Sequence, residues 1–112
     1  MSQTQQLRHA LEEFFGARFG KSGDVEVKII DDLILLRCKG AVSAAEADIG
    51  TMKAGRLLLH EMSERLCQEL QPDLSRFLRQ ITGRRLLDIS VGIFLRRREK
   101  IYILTMSSRV KH

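Results

Sequence analysis

Apolar residues recur at steps of three and four from Leu7 through Ala10, Leu11, Phe14 and Phe15 to Phe19. That spacing predicts an amphipathic helix over Thr4 to Phe19, with Thr4 as its cap and Gly20 and Gly23 as stop signals. The period then changes. Val25, Val27 and Ile29 alternate with Glu26 and Lys28, which predicts a strand over Asp24 to Ile30 with one wet face. Leu33 to Cys38 is apolar at nearly every position and reads as a strand buried on both faces or lying in the middle of a sheet. Only Asp31-Asp32 separates the two runs, so they predict a tight hairpin.

Gly40 ends that hairpin, and Ser43-Ala44-Ala45-Glu46 matches the S-x-x-E capping box. A short helix to about Asp48 follows, broken by Gly50. Apolar residues at 59, 62, 66, 70, 74, 77 and 81 then predict a long helix. The stripe runs through Pro72 without losing phase, so one kinked helix or two nearly collinear ones are expected, ending at Thr82-Gly83. A second hairpin is predicted from Leu86–Leu95 and Lys100–Met106. Leu87, Ile89, Val91, Ile93 and Leu95 share one face of its first strand.

The order is helix–hairpin, then helices–hairpin. It predicts an α+β two-layer sandwich (αββααββ) whose four-stranded antiparallel sheet has helices on one face. A chain of 112 residues makes one domain, with a core over about 4–106 and a flexible basic tail over 107–112. Such a sheet has a second face. Ile30, Ile34, Leu36, Leu86, Phe94, Tyr102, Leu104 and Met106 suggest that it is apolar, and a homodimer would cover it.

Composition narrows the function classes. No apolar run approaches the ~20 residues of a membrane span, and no basic-then-apolar leader opens the chain, so a cytoplasmic protein without direct membrane insertion is expected. Two isolated cysteines, Cys38 and Cys67, suit a reducing compartment and read as small buried hydrophobes. Without Trp and with one Tyr, the chain has little material for stacking on single-stranded nucleic acid.

Charge is unevenly placed. Residues 84–112 hold eight Lys/Arg against two Asp/Glu, whereas residues 1–83 hold 11 against 12. The whole excess therefore sits around the second hairpin, with Arg96-Arg97-Arg98 at its turn. Arg84, Arg85, Arg96, Arg97, Arg98 and Lys100 are the candidate contact for a protein partner or an anion, with nucleic acid as the alternative. A solvated turn that guards a sheet edge gives the same pattern. Acidic Asp31-Asp32 and basic Arg96–Arg98 could also meet across a subunit interface.

Gly50-Thr51-Met52-Lys53-Ala54-Gly55-Arg56 has P-loop glycine spacing, but Arg56 and Leu57 replace the required Lys and Ser/Thr. Gly55 and Arg56 are thus a possible anion site, set against a plain joint between helices. Asp31-Asp32 reads as turn chemistry. Asp88, inside an apolar strand, is expected to find Arg84, Arg85 or Arg37. His9, His60 and His112 show no ligand spacing. Neither a catalytic set, a metal site nor a cofactor loop emerges, so a non-enzymatic protein is expected.

A string of short motifs carries one resemblance. Ile30-Asp31-Asp32-Leu33-Ile34, Gly40 with Ser43 and Glu46, Thr51 with Gly55-Arg56, Pro72, Thr82-Gly83, Asp88-Ile89-Ser90 and Leu104-Thr105-Met106 occur in this order over about 24–106. Together they resemble the MpsC-like proteins, a small bacterial family named for a Na+-translocating membrane-potential-generating system. The chain departs in Leu104, where the family tends to have Phe, and in the strongly basic turn. The resemblance implies an accessory or regulatory protein linked to membrane ion or bicarbonate transport, with a membrane-transport protein as partner. It supplies no catalytic residues.

Overall fold

The computed structural model describes residues 3–19 and 25–110. The Thr4 and Phe19 side chains, Gly20, Gly23, Asp24 and His112 lie outside what is described, so the readings placed on them go no further. The elements follow the expected order: α1 (Gln3–Phe19), β1 (Val25–Ile30), β2 (Leu33–Lys39), α2 (Ala44–Ile49), α3 (Lys53–Thr82), β3 (Leu86–Phe94) and β4 (Glu99–Met106). The fold is the expected α+β sandwich. Its sheet runs β1-β2-β4-β3 with every neighbour antiparallel, so the two hairpins join through β2 and β4.

That central pairing decides which residues are inside. Ile34 lies opposite Leu104 and Leu36 opposite Tyr102. All four are buried under the helices with Cys38, Met106, Ile89, Val91 and Leu86. Leu7, Leu11, Phe14 and Phe15 of α1 and Leu70, Leu74 and Leu78 of α3 close the core from above. Phe15 packs on Tyr102 and Phe14 on Phe77, each with ring centroids 5.0 Å apart, which pins α1 to both the sheet and α3.

Three expectations about packing change. First, the open face of the sheet keeps only Ile30 and Phe94 of the set expected. Ile34, Leu36, Leu86, Tyr102, Leu104 and Met106 point to the helices, and the opposite parity places Ile30, Leu33, Leu35, Ile101, Ile103 and Phe94 outside. Side chains alternate along a strand, so a one-residue difference in register exchanges the faces. Second, a bulge between Leu86 and Asp88 shifts the start of β3. Leu86 turns inward and Leu87 outward, the reverse of simple alternation.

Third, α3 buries Leu59, Ser63, Cys67, Leu70, Leu74 and Leu78, whereas Met62, Leu66 and Ile81 stay exposed. Three- and four-residue steps allow two overlapping stripes on one helix, and the sheet takes only one of them. The helix is continuous through Pro72, which is exposed, so the Gln68 carbonyl left without its N–H partner faces the solvent side.

The ends are held by named groups. Ser43 and Glu46 form the complete capping box of α2. Gly83 closes α3 at φ +72°, in the left-handed region that favours glycine. The expected loose tail is docked from Ser107 to Val110. The Ser107 amide donates to the Arg85 carbonyl, the Val110 amide donates to the Asp31 carbonyl at 2.8 Å, and Val110 is 3% exposed. A buried valine with paired amides ties this segment to both hairpins at once.

Gly55 marks the closest approach in the fold. A Cβ there would stand 1.9 Å from the Ile49 carbonyl oxygen, so the start of α3 crosses directly over the end of α2. Gly55→Ala should therefore lower stability by about 1–3 kcal/mol even though alanine is the better helix former. Urea denaturation checks the sign. A stabilised variant would remove this crossing as a constraint.

Candidate functional site

The second hairpin turns through Leu95–Arg98. Arg98 adopts φ +55°, unusual for a residue with a side chain, and three contacts hold it there. Its amide donates to the Leu95 carbonyl, its carbonyl accepts from the Val42 amide, and its Nε donates to the Val42 carbonyl at 3.0 Å. Arg98 thus fastens the turn to the segment between β2 and α2. Lys100, on the helix side of β4, has a 15% exposed side chain and pairs with Glu46 of α2 at 3.6 Å. Burial pushes the Glu46 carboxyl up, but the Ser43 amide and Lys100 outweigh that and hold it below its ordinary value.

At the other end of the sheet, Arg84 is equally occupied. Its Nη1 donates to the Thr82 carbonyl at 2.7 Å and its Nε to the Arg109 carbonyl at 2.8 Å, so it caps the end of α3. Arg109 reaches Asp31 at 3.5 Å across open solvent. The eight steps along β3 put roughly 26 Å between Arg84–Arg85 and the Arg96–Arg98 turn. The six candidate cations therefore form two groups. Three of them (Arg84, Arg98 and Lys100) spend side-chain bonds inside the fold, and Arg85, Arg96 and Arg97 make no side-chain hydrogen bond or ion pair among the described residues. Asp31-Asp32 sits at the Arg84 end, so the acidic and basic turns are far apart within one protomer.

Gly55 and Arg56 are also drawn into local structure. Gly55 packs on α2, and Arg56 Nη1 donates to the carbonyls of Gly50 and Thr51 at 3.2 and 3.4 Å, against the negative end of that helix. Arg56, Leu59, His60, Ile93 and Leu95 line a cleft of about 200 Å³. His9 and His60 each pair with a glutamate one turn along their helix. Asp88 is exposed and makes no ion pair among the described residues: Arg84 turns to the helix end, Arg85 forms no ion pair there, and the register sets Arg37 level with Ile101 and Gly92, four residues along from Asp88, where it takes another partner.

That partner belongs to a network the sequence reading missed. On the open face, Arg37 grips Glu99 with two bonds of 3.0 Å, from Nε and Nη2. Its Nη1 lies 3.7 Å from Glu26, which Lys39 also contacts at 2.9 Å. Glu99 is 6% exposed, and the Arg37 fork holds its carboxyl below the ordinary 4.5. Lys39 does the same for Glu26. Only the pairing of β2 with β4 brings residues 37 and 99 together, and no local signal announces that pairing. Beside the network, Leu33, Leu35, Ile101, Ile103, Ile30 and Phe94 make up the apolar part of the face, with the Phe94 ring over Gly92. No described helix lies over them.

Burial pushes both thiols up to about 11, so Cys38 and Cys67 stay protonated at neutral pH. Among the described residues, no group of three or more His, Cys, Asp or Glu could hold a metal ion, and no helix is long and apolar enough to cross a membrane.

Two measurements separate structural from free charges. Arg98→Ala should cost about 1 kcal/mol through its lost bond and turn geometry, while Arg96→Ala and Arg97→Ala should stay within about 0.5 kcal/mol of the parent in chemical denaturation. Glu99 has its pKa lowered by folding, so its contribution is present above 4.5 and fades as pH falls below that value. Glu99→Gln should therefore be less stable than the parent at neutral pH, with the gap in urea midpoint narrowing on acidification. A gap that does not change with pH would show that the ion pair contributes through packing alone.

No curated protein and no solved structure matches the chain. A family model does, over residues 2–108, which takes in every element of the fold and both hairpin turns and ends inside the docked segment after β4. Its description is the Na+-translocating membrane potential-generating system (MpsC), and the chain belongs to that family.

Proposed function

We propose that the protein is a non-enzymatic accessory or regulatory component of the Na+-translocating membrane-potential-generating system, acting from the cytoplasmic side on a membrane-embedded partner. Family membership supports the system. The observation that carries the binding role is the open sheet face. Leu35 and Ile103 sit at its centre on adjacent strands, flanked by Leu33, Ile101 and Ile30, and a bidentate ion pair frames one end. A rigid apolar face with a polar border has the make-up of a protein-binding patch. At that end Arg37, Glu99, Glu26 and Lys39 already pair with one another in the free protein, so docking over them leaves none of these four ions unpaired.

The basic turn adds Arg96 and Arg97 beside this face, where they steer an acidic partner segment toward it. Phosphate binding draws on several cations held on one surface, and the separation of the Arg84 and Arg96 groups favours a protein partner over a nucleic acid.

The test is recovery of the membrane partner from detergent-solubilised native membranes on the tagged protein. The parent should retain a membrane component of the system. Ile103→Lys should retain at least about tenfold less, a loss of the size expected for a charge placed in the middle of an interface, with its circular dichroism and melting unchanged. Equal recovery by the variant would remove the sheet face from the interface. Recovery of no membrane component by the parent would overturn the proposed role.

A further inference from the structure

Among the described residues, six of the ten large hydrophobic side chains left exposed fall between residues 49 and 66. Three of them form a line. Leu58, Met62 and Leu66 are 52%, 52% and 43% exposed and lie four residues apart on one side of α3, next to the stripe that meets the sheet. Leu59, Ser63 and Cys67, level with this line on the neighbouring side of the helix, are buried, so the helix does not simply overhang the sheet here. The α1 contact through Phe14 reaches α3 at Phe77, in its second half. This side of the first half is left bare.

The flanks of this stripe say what fits it. From Lys53 to Glu69 the helix carries three Lys/Arg (Lys53, Arg56 and Arg65) and three Glu (Glu61, Glu64 and Glu69), a neutral and mixed surface unlike one built for nucleic acid or anionic lipid. Glu61 and Arg65 sit side by side on one flank, both exposed, and neither forms an ion pair among the described residues. Let a second α3 run antiparallel across the first, with the twofold axis at Met62. Leu58 then faces Leu66 of the other copy, and Met62 faces its own equivalent. Glu61 and the other copy's Arg65 come to within about 3 Å along the helix axis on the same flank, and symmetry makes this contact twice.

We infer that the protein forms a homodimer through the first half of α3, an antiparallel helix pair centred on Met62 with reciprocal Glu61–Arg65 contacts. The occupant is a second copy, because one register satisfies the apolar line and both unpaired charges together. Three half-exposed side chains make a smaller contact than the ~800 Å² per partner of a standard interface, so the dimer is expected to be weak, with a dissociation constant in the micromolar range. It leaves the sheet face free, so it stands or falls separately from the partner proposed above.

Sedimentation velocity on the purified protein between about 1 and 100 µM tests this. The mass should rise from 12.8 kDa toward twice that value. Met62→Asp should remain monomeric with an unchanged melting curve, since Met62 is half exposed in the protomer. Glu61→Arg and Arg65→Glu should each raise the dissociation constant about tenfold or more, and the double variant Glu61→Arg/Arg65→Glu should return to within about threefold of the parent. A monomer throughout the range overturns the proposal. So does a Met62→Asp dimer as tight as the parent, or a double reversal that fails to recover.

Discussion

The pairing of β2 with β4 is the constraint on which the rest of this protein depends. Each hairpin is local, set by a short turn and an alternating sequence, and each alone would expose one apolar face. Placing Ile34 beside Leu104 and Leu36 beside Tyr102 fuses them into one sheet wide enough to carry α1 and α3 together. The same register fixes the other face. It brings Arg37 to Glu99 and Leu35 to Ile103, so the ion-pair border and the apolar centre of the open face are both consequences of one strand pairing. Truncating a fully buried residue in this seam, such as Leu104, removes packing that both hairpins share, and such losses are typically about 2–5 kcal/mol.

Signals that act over a few residues were readable in the chain. The Ser43–Glu46 box, the Asp31-Asp32 turn and the Gly83 stop all stand where the sequence put them, because their partners lie within four residues. The choice between two stripes on α3 was not readable. Leu59, Leu70 and Leu74 belong to the buried stripe, but whether Met62 or Ser63 joins them depends on how the helix is rotated over β3, a long-range fact. The face exchange in the sheet has the same origin. Leu35 and Leu36 are equally apolar, and only contact with the helices makes one core and the other surface.

The candidate cations show why a charge cluster in sequence need not be one in space. Arg84, Arg85 and Arg96–Arg98 are separated by only one strand, but an extended strand carries them to opposite ends of the sheet. Charges close in sequence yet far in space were also those with local work to do. Arg84 closes α3, Arg98 fastens the turn to Val42, and Arg56, read as a possible anion contact, closes α2. Helix ends and strained turns present carbonyls that need donors, and a long arginine is suited to reach them. What is left for partners at the basic turn is Arg96 and Arg97, a smaller and more specific group than the sequence suggested.

The two sheet edges explain why association should use helix and face instead of strand addition. An exposed edge invites another strand, and proteins block it with charge or with irregular geometry. β1 carries Glu26 and Lys28 on its open-face side, and Lys39 and Arg37 hold Glu26 in place. β3 begins with the bulge between Leu86 and Asp88 and has Gly92 near its far end, with Phe94 folded over it. Both edges are therefore poor templates, one by charge and one by shape. The apolar surface remaining is the sheet face and the bare half of α3, which lie on different sides of the molecule. A protein with two such surfaces can join its own copy through one and a membrane partner through the other without either contact obstructing its neighbour. In that arrangement the pair at Met62 would present two open faces at once, and a partner with two sites would be held far longer than a partner with one.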